Sequence, residues 1–509
     1  MKATRREALK GAAATAIIAG GGMTGMAKAA AISDDDYLAQ DALGLAELVR
    51  KREVSASELL EMAIERASKQ DAKLNFLAQE IYDYGREKIA QGLPEGPFTG
   101  VPFLEKDLHM HISGVRSGQG SRLYDDYVPD FTSELVKRHE AAGLVIFGKT
   151  TTPEFGLTGT TESLAEGPTR NPWDVTRSSG GSSGGASSAV ASGVIPLAHA
   201  SDGGGSIRIP ASTCGLFGLK PSRGRVPMGP LRTEGWGGMS TNGALSRSVR
   251  DSAALLDATH GPELGSRYSA PTPDGTFLSQ VTREPGSLRI ALMLEPISGA
   301  PVDPEVVEAT RQAAKLCESL GHHVEEASLK IDAARMGQAN FALISTALVV
   351  DIDARAKAAG VDVGPDVIEK MTMGFYQFGK QVPGTAVASA NNLMQEIAVT
   401  VARFMANYDV ILSPVLASPP AKLGVYDLDK DDFAAWGAAV GAYVPFTGLF
   451  NATGQPSMSV PLGMSKGNLP IGSMFTGRYG DEATLLRLAG QLERAAPWFD
   501  RLPQLAREI

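Results

Sequence analysis

A glycine- and serine-rich stretch from Ser179 to Ala211 constrains the fold of this chain more than any other segment. It reads SGGSSGGASSAVASGVIPLAHASDGGGSIRIPA and contains two glycine-rich turns, one holding Ser182 and one ending at Ser206. A flexible linker of this composition would be polar throughout. Here apolar residues are interleaved with the glycines, namely Val190, Ala191, Val194, Ile195, Leu197, Ile207 and Ile209. The stretch is therefore predicted to pack inside the protein rather than to link two domains.

The serines of the two turns are candidate nucleophiles. A glycine-rich turn lets backbone N–H groups converge without interference from Cβ atoms, and convergent N–H groups stabilise an oxyanion. A serine that closes such a turn can attack a carbonyl carbon if a nearby base takes its proton. The next question is therefore which residue is the base.

Lys106 is a better candidate for the base than any of the seven histidines. It ends the apolar run GVPFLE, which predicts a buried strand, and burial disfavours the charged form of an amine. His199 lies close before Ser206, but its segment IPLAHAS predicts a strand in which the ring is packed. His322 and His323 follow a predicted helix and are expected only to cap its end.

The lysine, the two serine turns and several other segments together resemble the amidase signature family. The ordered set is more specific than any one of its members. The segments that carry the resemblance are GVPFLEKD (100–107), GLVIFGKTTTPEFG (143–156), TRNPWD (169–174), GGSSGG (180–185), SDGGGSIRIPA (201–211), CGLFGLKPSRGRVP (214–227), FNATGQPSMSVPLG (450–463) and LPIGSMFTGRYGDEATLL (469–486).

The resemblance implies a Ser-Ser-Lys triad that cleaves amide bonds through an acyl-enzyme. By position, Lys106 is the base, Ser182 is the bridging serine, which a cis peptide bond holds in the family, and Ser206 is the nucleophile. The implied oxyanion hole consists of the backbone N–H groups of Gly203, Gly204, Gly205 and Ser206. Supporting roles fall to Ser183, Asp202 and Arg208, the last two as a carboxylate and a guanidinium that tie the second turn to its neighbours.

Two positions depart from the family pattern. Gly203 stands where many relatives have threonine, and Thr151 stands where they have asparagine. Because glycine still carries an N–H, the oxyanion hole is expected to persist but to be more flexible before substrate binds. Within the family, TRNPW, KPSRGR and the closing APWFDRLPQL most resemble the subgroup that hydrolyses the cyclic dimer of 6-aminohexanoate. This likeness implies uncharged linear or cyclic amides, anilides or carbamates as substrates.

The first 29 residues are predicted to be a twin-arginine signal peptide. They contain TRREALK, an apolar stretch from Ala12 to Ala19 and an A-x-A site at 27–29, so a bacterial periplasmic or secreted location is expected. Five basic residues and one acidic residue leave with this segment, which takes the net charge from −9 to −13. Such a charge argues against nucleic-acid binding, and no stable membrane insertion is expected after removal of the signal.

Composition points to no cofactor and no metal. Cys214 and Cys317 are far apart and form no C-x-x-C motif, so neither a disulfide framework nor a zinc site is indicated. His109 and His111 could share a metal, but no nearby residues complete a coordination sphere.

The fold class implied by the resemblance is α/β, as a single large domain with a central mixed β-sheet covered by helices on both faces. Residues 30–509 form this catalytic domain, with N-terminal helices over 33–95, the triad core over 96–230 and a variable substrate-pocket region over about 333–446. The alternation of apolar and helical patterns over 288–326 predicts a βαβ unit. A capping box is predicted from Ser55 to Glu58, and an amphipathic helix over 482–493. A monomer or homodimer is expected.

Two other functions remain open at this point. A glutaminase-type subunit of an amidotransferase would use the same triad in the cytoplasm with partner subunits, which the export signal disfavours. A non-catalytic periplasmic amide-binding protein would have no need of a lysine and two serines at this spacing.

Overall fold

The centre of the protein is a mixed β-sheet of eight strands in the computed structural model, which describes residues 32–508. The predicted signal peptide, residues 1–29, lies outside the described residues. In chain order the strands are β1 (Leu77–Glu80), β2 (Pro102–Lys106), β3 (Val145–Thr150), β4 (Glu162–Ser163), β5 (Gly167–Pro168), β6 (Arg170–Asn171), β7 (Asp174–Ser178), β8 (Leu197–Asp202), β9 (Phe217–Lys220), β10 (Thr241–Ser246), β11 (Arg289–Leu292), β12 (His323–Glu326), β13 (Val410–Pro414), β14 (Ser457–Met464) and β15 (Pro470–Gly477).

The eight strands follow the order β12-β11-β13-β15-β14-β9-β10-β8. Strand β11 is parallel to β12 and β13, and the remaining neighbours are antiparallel. A second sheet has the order β1-β3-β2, and β4-β5 and β6-β7 are short pairs. The backbone N–H of Lys106, at the end of β2, donates to Nδ1 of His199 in β8 over 3.3 Å. The lysine therefore lies beside the edge strand of the large sheet.

Helices cover both faces of the large sheet. The helices are α1 (Asp34–Leu38), α2 (Ala42–Arg50), α3 (Ala56–Leu74), α4 (Tyr82–Gln91), α5 (Glu134–Ala141), α6 (Gly184–Ala191), α7 (Arg208–Cys214), α8 (Val249–Thr259), α9 (Phe277–Gln280), α10 (Pro304–Ser319), α11 (Ala333–Ala359), α12 (Lys370–Gly379), α13 (Gly384–Phe404), α14 (Phe433–Tyr443), α15 (Gly448–Thr453) and α16 (Glu482–Ala495).

Alternation along the strands separates the two faces. On one face Ile290 and Leu412 join the apolar core that includes α10 and α16, and on the other Ala291 and Ile411 join the core that includes α11 and α13. Successive side chains of a strand point to opposite faces, so each strand contributes side chains to both cores. The predicted α/β class, with one central mixed sheet covered on both sides, is confirmed.

The local signals named in the sequence form the expected elements. Ser55 Oγ accepts from the N–H of Glu58 while the Ser55 N–H donates to Glu58 Oε2, which closes the capping box of α3. Strands β11 and β12 are parallel and are joined by α10, as the predicted βαβ unit requires. Along α16, the apolar residues Leu485, Leu486, Ala489 and Leu492 are fully buried.

The expectation for the two histidines after α10 is met only by the backbone of His322, whose N–H donates to the carbonyl of Cys317 in the last turn (3.1 Å); its ring has other partners. Leu320 is the C-cap of this helix. His322 instead accepts from the N–H of Leu288 through Nδ1 (3.1 Å) and lies 2.8 Å from Gln491 Oε1 through Nε2. His323 begins β12. The sequence could not show this because the partners of His322 lie 34 and 169 residues away.

Two further observations concern the whole described chain. Both cysteines, Cys214 and Cys317, are free and buried. Between residues 32 and 508, no helix is both long and apolar enough to cross a membrane.

Candidate active site

Lys106 is a fully buried lysine whose amine contacts two serines. Every residue of β2 is buried, and Lys106 Nζ lies 2.7 Å from Ser182 Oγ and 3.1 Å from Ser201 Oγ. Burial lowers the pKa of this lysine to about 7, although the negative charge of Asp202 acts in the opposite direction. Near neutral pH the amine is therefore substantially uncharged and able to accept a proton.

Ser182 is fixed in the first glycine-rich turn, just before α6. The Gly181–Ser182 peptide bond is cis, the conformation that the resemblance implies. A Cβ on Gly181 would lie 2.3 Å from the carbonyl oxygen of Thr160, so this turn passes too close to its neighbour for any other residue. Ser183 holds the turn against β8: its Oγ donates to the carbonyl of Ser201 (3.2 Å) and accepts from the N–H of the same residue (3.3 Å).

Asp202 organises the second turn, which connects β8 to α7. Its carboxylate accepts from the N–H groups of Gly205 (2.7 Å) and Ile207 (3.1 Å) and from the guanidinium of Arg208. Burial, the largest influence, would raise the pKa of Asp202, but the charge and hydrogen bonds of Arg208 hold it well below its usual range. Asp202 and Arg208 are both fully buried and joined by an ion pair that braces the turn.

The four predicted oxyanion donors differ in whether their N–H groups are free. The N–H of Gly205 is used by Asp202. Among residues 32–508, no acceptor takes the N–H groups of Gly204 and Ser206. Gly203, the first residue of the turn, lines the same cavity as Ser206. Gly205 therefore shapes the turn, whereas the N–H groups of Gly204 and Ser206 are not used within the described residues.

Ser206 lines a cavity and is 9% exposed. Its Oγ has no hydrogen-bond partner in the described part of the chain, and Ser182 lines the same cavity. The structure thus contains the Lys106–Ser182 contact, whereas the two serine hydroxyls are not hydrogen-bonded to each other; catalytic hydrogen bonds often tighten only when substrate binds. The other lining residues are Leu108, His109, Phe155, Gly156, Ser201, Met228, Arg232, Gly235, Trp236, Ser240 and Asn242.

The histidines near the site are packed rather than paired with Ser206. Nδ1 of His199 accepts from the N–H of Lys106, and its Nε2 lies 3.4 Å from Asn242 Oδ1. Burial lowers the pKa of His199 to about 4 and that of His109 well below its usual range, so both rings are neutral. In residues 32–508, no group of three or more histidine, cysteine, aspartate or glutamate side chains could hold a metal ion.

Several residues of the site were not singled out by the sequence. Ser201 contacts Lys106, and Asn451 donates to Asp202 Oδ1 (2.8 Å) while accepting from Arg208 (2.6 Å). Thr447 donates to the carbonyl of Gly204 (2.5 Å). Ser201 and Asn451 do lie in the segments SDGGGS and FNATGQ, which carried the resemblance, so their position in those motifs was the available signal.

The departures from the family pattern have different surroundings. Thr151 lies beneath the start of α6, where its Oγ1 is 2.6 Å from Thr169 Oγ1. Gly203 lies against the ring of Trp236. The region over about 333–446 provides none of the cavity lining among the described residues; it contacts the outer side of the wall, where Asp351 of α11 pairs with Arg232 (3.0 Å). Its expected role as the substrate pocket therefore remains a prediction.

Comparison with known proteins finds relatives along most of the chain. A family model described as Amidase matches residues 58–486. A 6-aminohexanoate-cyclic-dimer hydrolase from Paenarthrobacter ureafaciens is 37% identical over 479 residues, covering 92% of this chain and 97% of the relative. The solved structure of 6-aminohexanoate cyclic dimer hydrolase is similar with a TM-score of 0.87 at 36% identity, covering 92% of this chain and 99% of that one. A bacterial aryl acylamidase of the amidase signature enzymes reaches 0.82 at 28% identity, covering 92% and 98%.

Proposed function

This chain belongs to the amidase signature family, as a hydrolase of amide carbon–nitrogen bonds, and from that premise we propose that Ser206 is its nucleophile, activated through Ser182 by the neutral amine of Lys106. The observation that carries this proposal is the 2.7 Å contact between Lys106 Nζ and Ser182 Oγ. Both residues are buried beside the cavity that Ser206 lines. An uncharged lysine at this place can accept a proton from the serine hydroxyl that it contacts.

The reaction follows from these contacts. Ser206 Oγ attacks the amide carbon and forms a carbon–oxygen bond, while its proton passes to Ser182 and the proton of Ser182 passes to Lys106 Nζ. The carbonyl oxygen becomes an oxyanion that the N–H groups of Gly203, Gly204 and Ser206 stabilise. The relay then returns a proton to the amide nitrogen, the carbon–nitrogen bond breaks and the amine leaves. Water attacks the acyl-enzyme by the same relay, which releases the acid and regenerates Ser206.

The cavity favours uncharged amides. Leu108, Phe155, Met228 and Trp236 provide apolar lining, and the cation of Arg232 is already paired with Asp351. A charged substrate would bind weakly in such a site, because it would lose its hydration without finding an unpaired charge of opposite sign. Linear or cyclic amides, anilides and carbamates are therefore the proposed substrates; the names of the cyclic dimer hydrolase and the aryl acylamidase to which the chain is similar support the cyclic amides and the aryl amides among them.

A fluorophosphonate probe tests the proposal. Intact-protein mass spectrometry should show one added group, and peptide mapping should place it on Ser206. Ser206→Ala should abolish both the label and the hydrolysis of amides. Ser192→Ala is the matched control, because within residues 32–508 the hydroxyl of this buried serine bonds only the carbonyl of Ala189, and Ser192 does not line the cavity.

The substrate panel separates the remaining functions. It should include linear and cyclic amides, anilides, carbamates, esters and glutamine. Hydrolysis of glutamine alone would favour the glutaminase-type alternative. Binding of amides with neither labelling nor product release would favour a binding protein and would contradict the proposal.

A further inference from the structure

The indole of Trp236 occupies the space that a side chain at position 203 would fill. A Cβ built on Gly203 would lie 2.7 Å from both Cε3 and Cζ3 of this ring and 2.9 Å from Ser240 Oγ. The φ angle of Gly203 is not in the left-handed region, so the restriction at this position is one of space and not of backbone conformation. Any larger residue would have to displace the indole or the turn.

The turn that carries Trp236 is anchored to the turn that carries Ser206. The N–H groups of Gly238 and Ser240 donate to the carbonyl of Gly235 (3.1 and 3.2 Å), which closes a tight turn around the indole. The side-chain amide of Asn451 then donates to the carbonyls of Met239 and Asp202, each over 3.1 Å. One side chain therefore fixes the distance between the two turns.

Further contacts hold the Trp236 turn from outside. Arg223 Nε donates to the carbonyl of Gly238, and its Nη2 donates to the carbonyls of Asn451 and Ala452. Arg232, just before the turn, pairs with Asp351. Since both ends of the turn are attached to different elements, the backbone that carries the indole is held at the cavity wall.

We propose that Trp236 is the residue that limits the size of the substrate group lying over the Ser206 turn, and that position 203 is glycine because the indole fills its side-chain space. This inference rests on the proposed function of that turn as the oxyanion site. Trp236 and Gly203 both line the cavity that holds Ser206. An aromatic wall gives a flat apolar substrate group a large contact area with little loss of side-chain freedom.

A double-mutant cycle tests the steric part. Gly203→Ala should lower kcat/KM at least about tenfold, and Trp236→Ala in the same chain should recover most of that loss, because the added methyl then has room. Gly204→Ala is the matched control in the same turn, since its Cβ would meet no atom within 4 Å. If Gly204→Ala lowers kcat/KM, adding Trp236→Ala should not restore it.

Two substrate series test the specificity part. In the first series the acyl group becomes larger, from an acetyl to a benzoyl p-nitroanilide. In the second series the amine of an acetamide becomes larger. In at least one series, Trp236→Ala should raise the ratio of kcat/KM for the large substrate over that for the small one by about tenfold or more. Trp236→Phe should give a smaller change in the same direction. Thermal melting of each variant confirms that the compared proteins are folded.

The outcomes distinguish this inference from the proposed function. Unchanged ratios in both series, together with no recovery of Gly203→Ala, would overturn the role of Trp236. Failure of a small fluorophosphonate to label Ser206 in the unmodified protein would instead overturn the proposed function. Labelling of Ser206 with unchanged ratios would leave the nucleophile in place and remove Trp236 as the size limit.

Discussion

The triad core and the helical region over about 333–446 are held together by different forces. In the core, buried ions are paired at short distances: Asp202 with Arg208 and Asp107 with Lys149, each 2.9 Å apart and fully buried. In the helical region, the pair Lys370–Asp431 lies at the surface. There the interior is aromatic, as in the contacts that Phe375 makes with Phe341 and Trp436.

The glycines of the core and of α14 differ in the same way. In the core, Gly181 and Gly184 allow close approach, since a Cβ on either would lie 2.3 Å from an oxygen atom of Thr160 or Thr161. In α14 of the helical region, a Cβ on Gly437 or Gly441 would meet no atom within 4 Å, whereas the glycines of α12 pack closely against neighbouring helices. Specific polar contacts therefore define the core, whereas apolar area defines the helices. This difference explains why recognisable motifs concentrate in the core: directional contacts restrict residue type, and apolar packing tolerates exchange.

The largest predicted effect comes from breaking a buried ion pair. Asp202→Asn leaves the guanidinium of Arg208 buried without its carboxylate, which should lower the free energy of unfolding by about 3–5 kcal/mol. In the helical region, the side chain of Asp431 is 91% exposed where it pairs with Lys370. Asp431→Asn should therefore leave the melting temperature unchanged. Urea unfolding and thermal melting of both variants measure the difference. Equal losses of unfolding free energy in the two variants would contradict the contrast between the regions.

A glycine comparison should give a smaller effect. Gly181→Ala forces the first turn away from Thr160 and should destabilise the protein by about 1–3 kcal/mol while displacing Ser182. Gly437→Ala, at an exposed helical position with open space, should stabilise it by about 0.5–1 kcal/mol. Both values come from urea unfolding curves. A neutral Gly181→Ala variant with full activity would show that the close approach is not needed.

A pair of buried carboxyl groups connects the two regions and gives a pH-dependent prediction. Glu154 in the core accepts from Ser121 Oγ (2.6 Å) and from the N–H of Glu369 (2.8 Å), which precedes α12. Burial raises the pKa of Glu154 to about 7, and burial together with the charge of Glu154 raises that of Glu369 to about 8. The folded chain therefore keeps protons that the unfolded chain has lost, and these groups make stability fall as pH rises from about 4.5 to about 8.

Glu369→Gln should remove part of that fall. Relative to the unmodified protein, the variant should gain free energy of unfolding at about pH 9 more than at about pH 5. The difference between the two proteins is the useful quantity, because other buried groups titrate in the same range. A pH-independent difference would show that the carboxyl group is already ionised at low pH in the folded protein.

The smallest predicted effect on catalysis concerns His199. Its ring supports the backbone of Lys106 and is not in contact with Ser206, so His199→Ala should reduce kcat by about tenfold or less, with some loss of stability from the cavity created. The rate and the melting temperature have to be measured together. A folded His199→Ala protein as inactive as Ser206→Ala would support a Ser-His mechanism instead.

The sequence predicts the parts of the site that lie in short motifs and misses those that depend on distant partners. Lys106 and the two serines are each marked by their neighbours in the chain, and the amphipathic helices and the βαβ unit follow from periodicity. Trp236 has no such local signal, and Asn451 has only its place in the motif FNATGQ, because these residues contact Gly203 and Asp202, which are far from them in sequence. The reason is different for Gly205: its acceptor Asp202 is near in sequence, but the direction of the Gly205 N–H depends on the backbone conformation of the folded turn.

The most direct test of the central claim is the pH dependence of fluorophosphonate modification of Ser206. The neutral amine of Lys106 is the active form, so the rate should rise with pH through about 7 and then level off. Buried Lys220 has a pKa lowered by burial to the same value, so Lys106→Ala is needed to assign the profile. That variant should react about 10²–10⁴-fold more slowly and lose the rise. A rate that does not change with pH, or a Lys106→Ala protein that reacts like the unmodified one, would contradict the account.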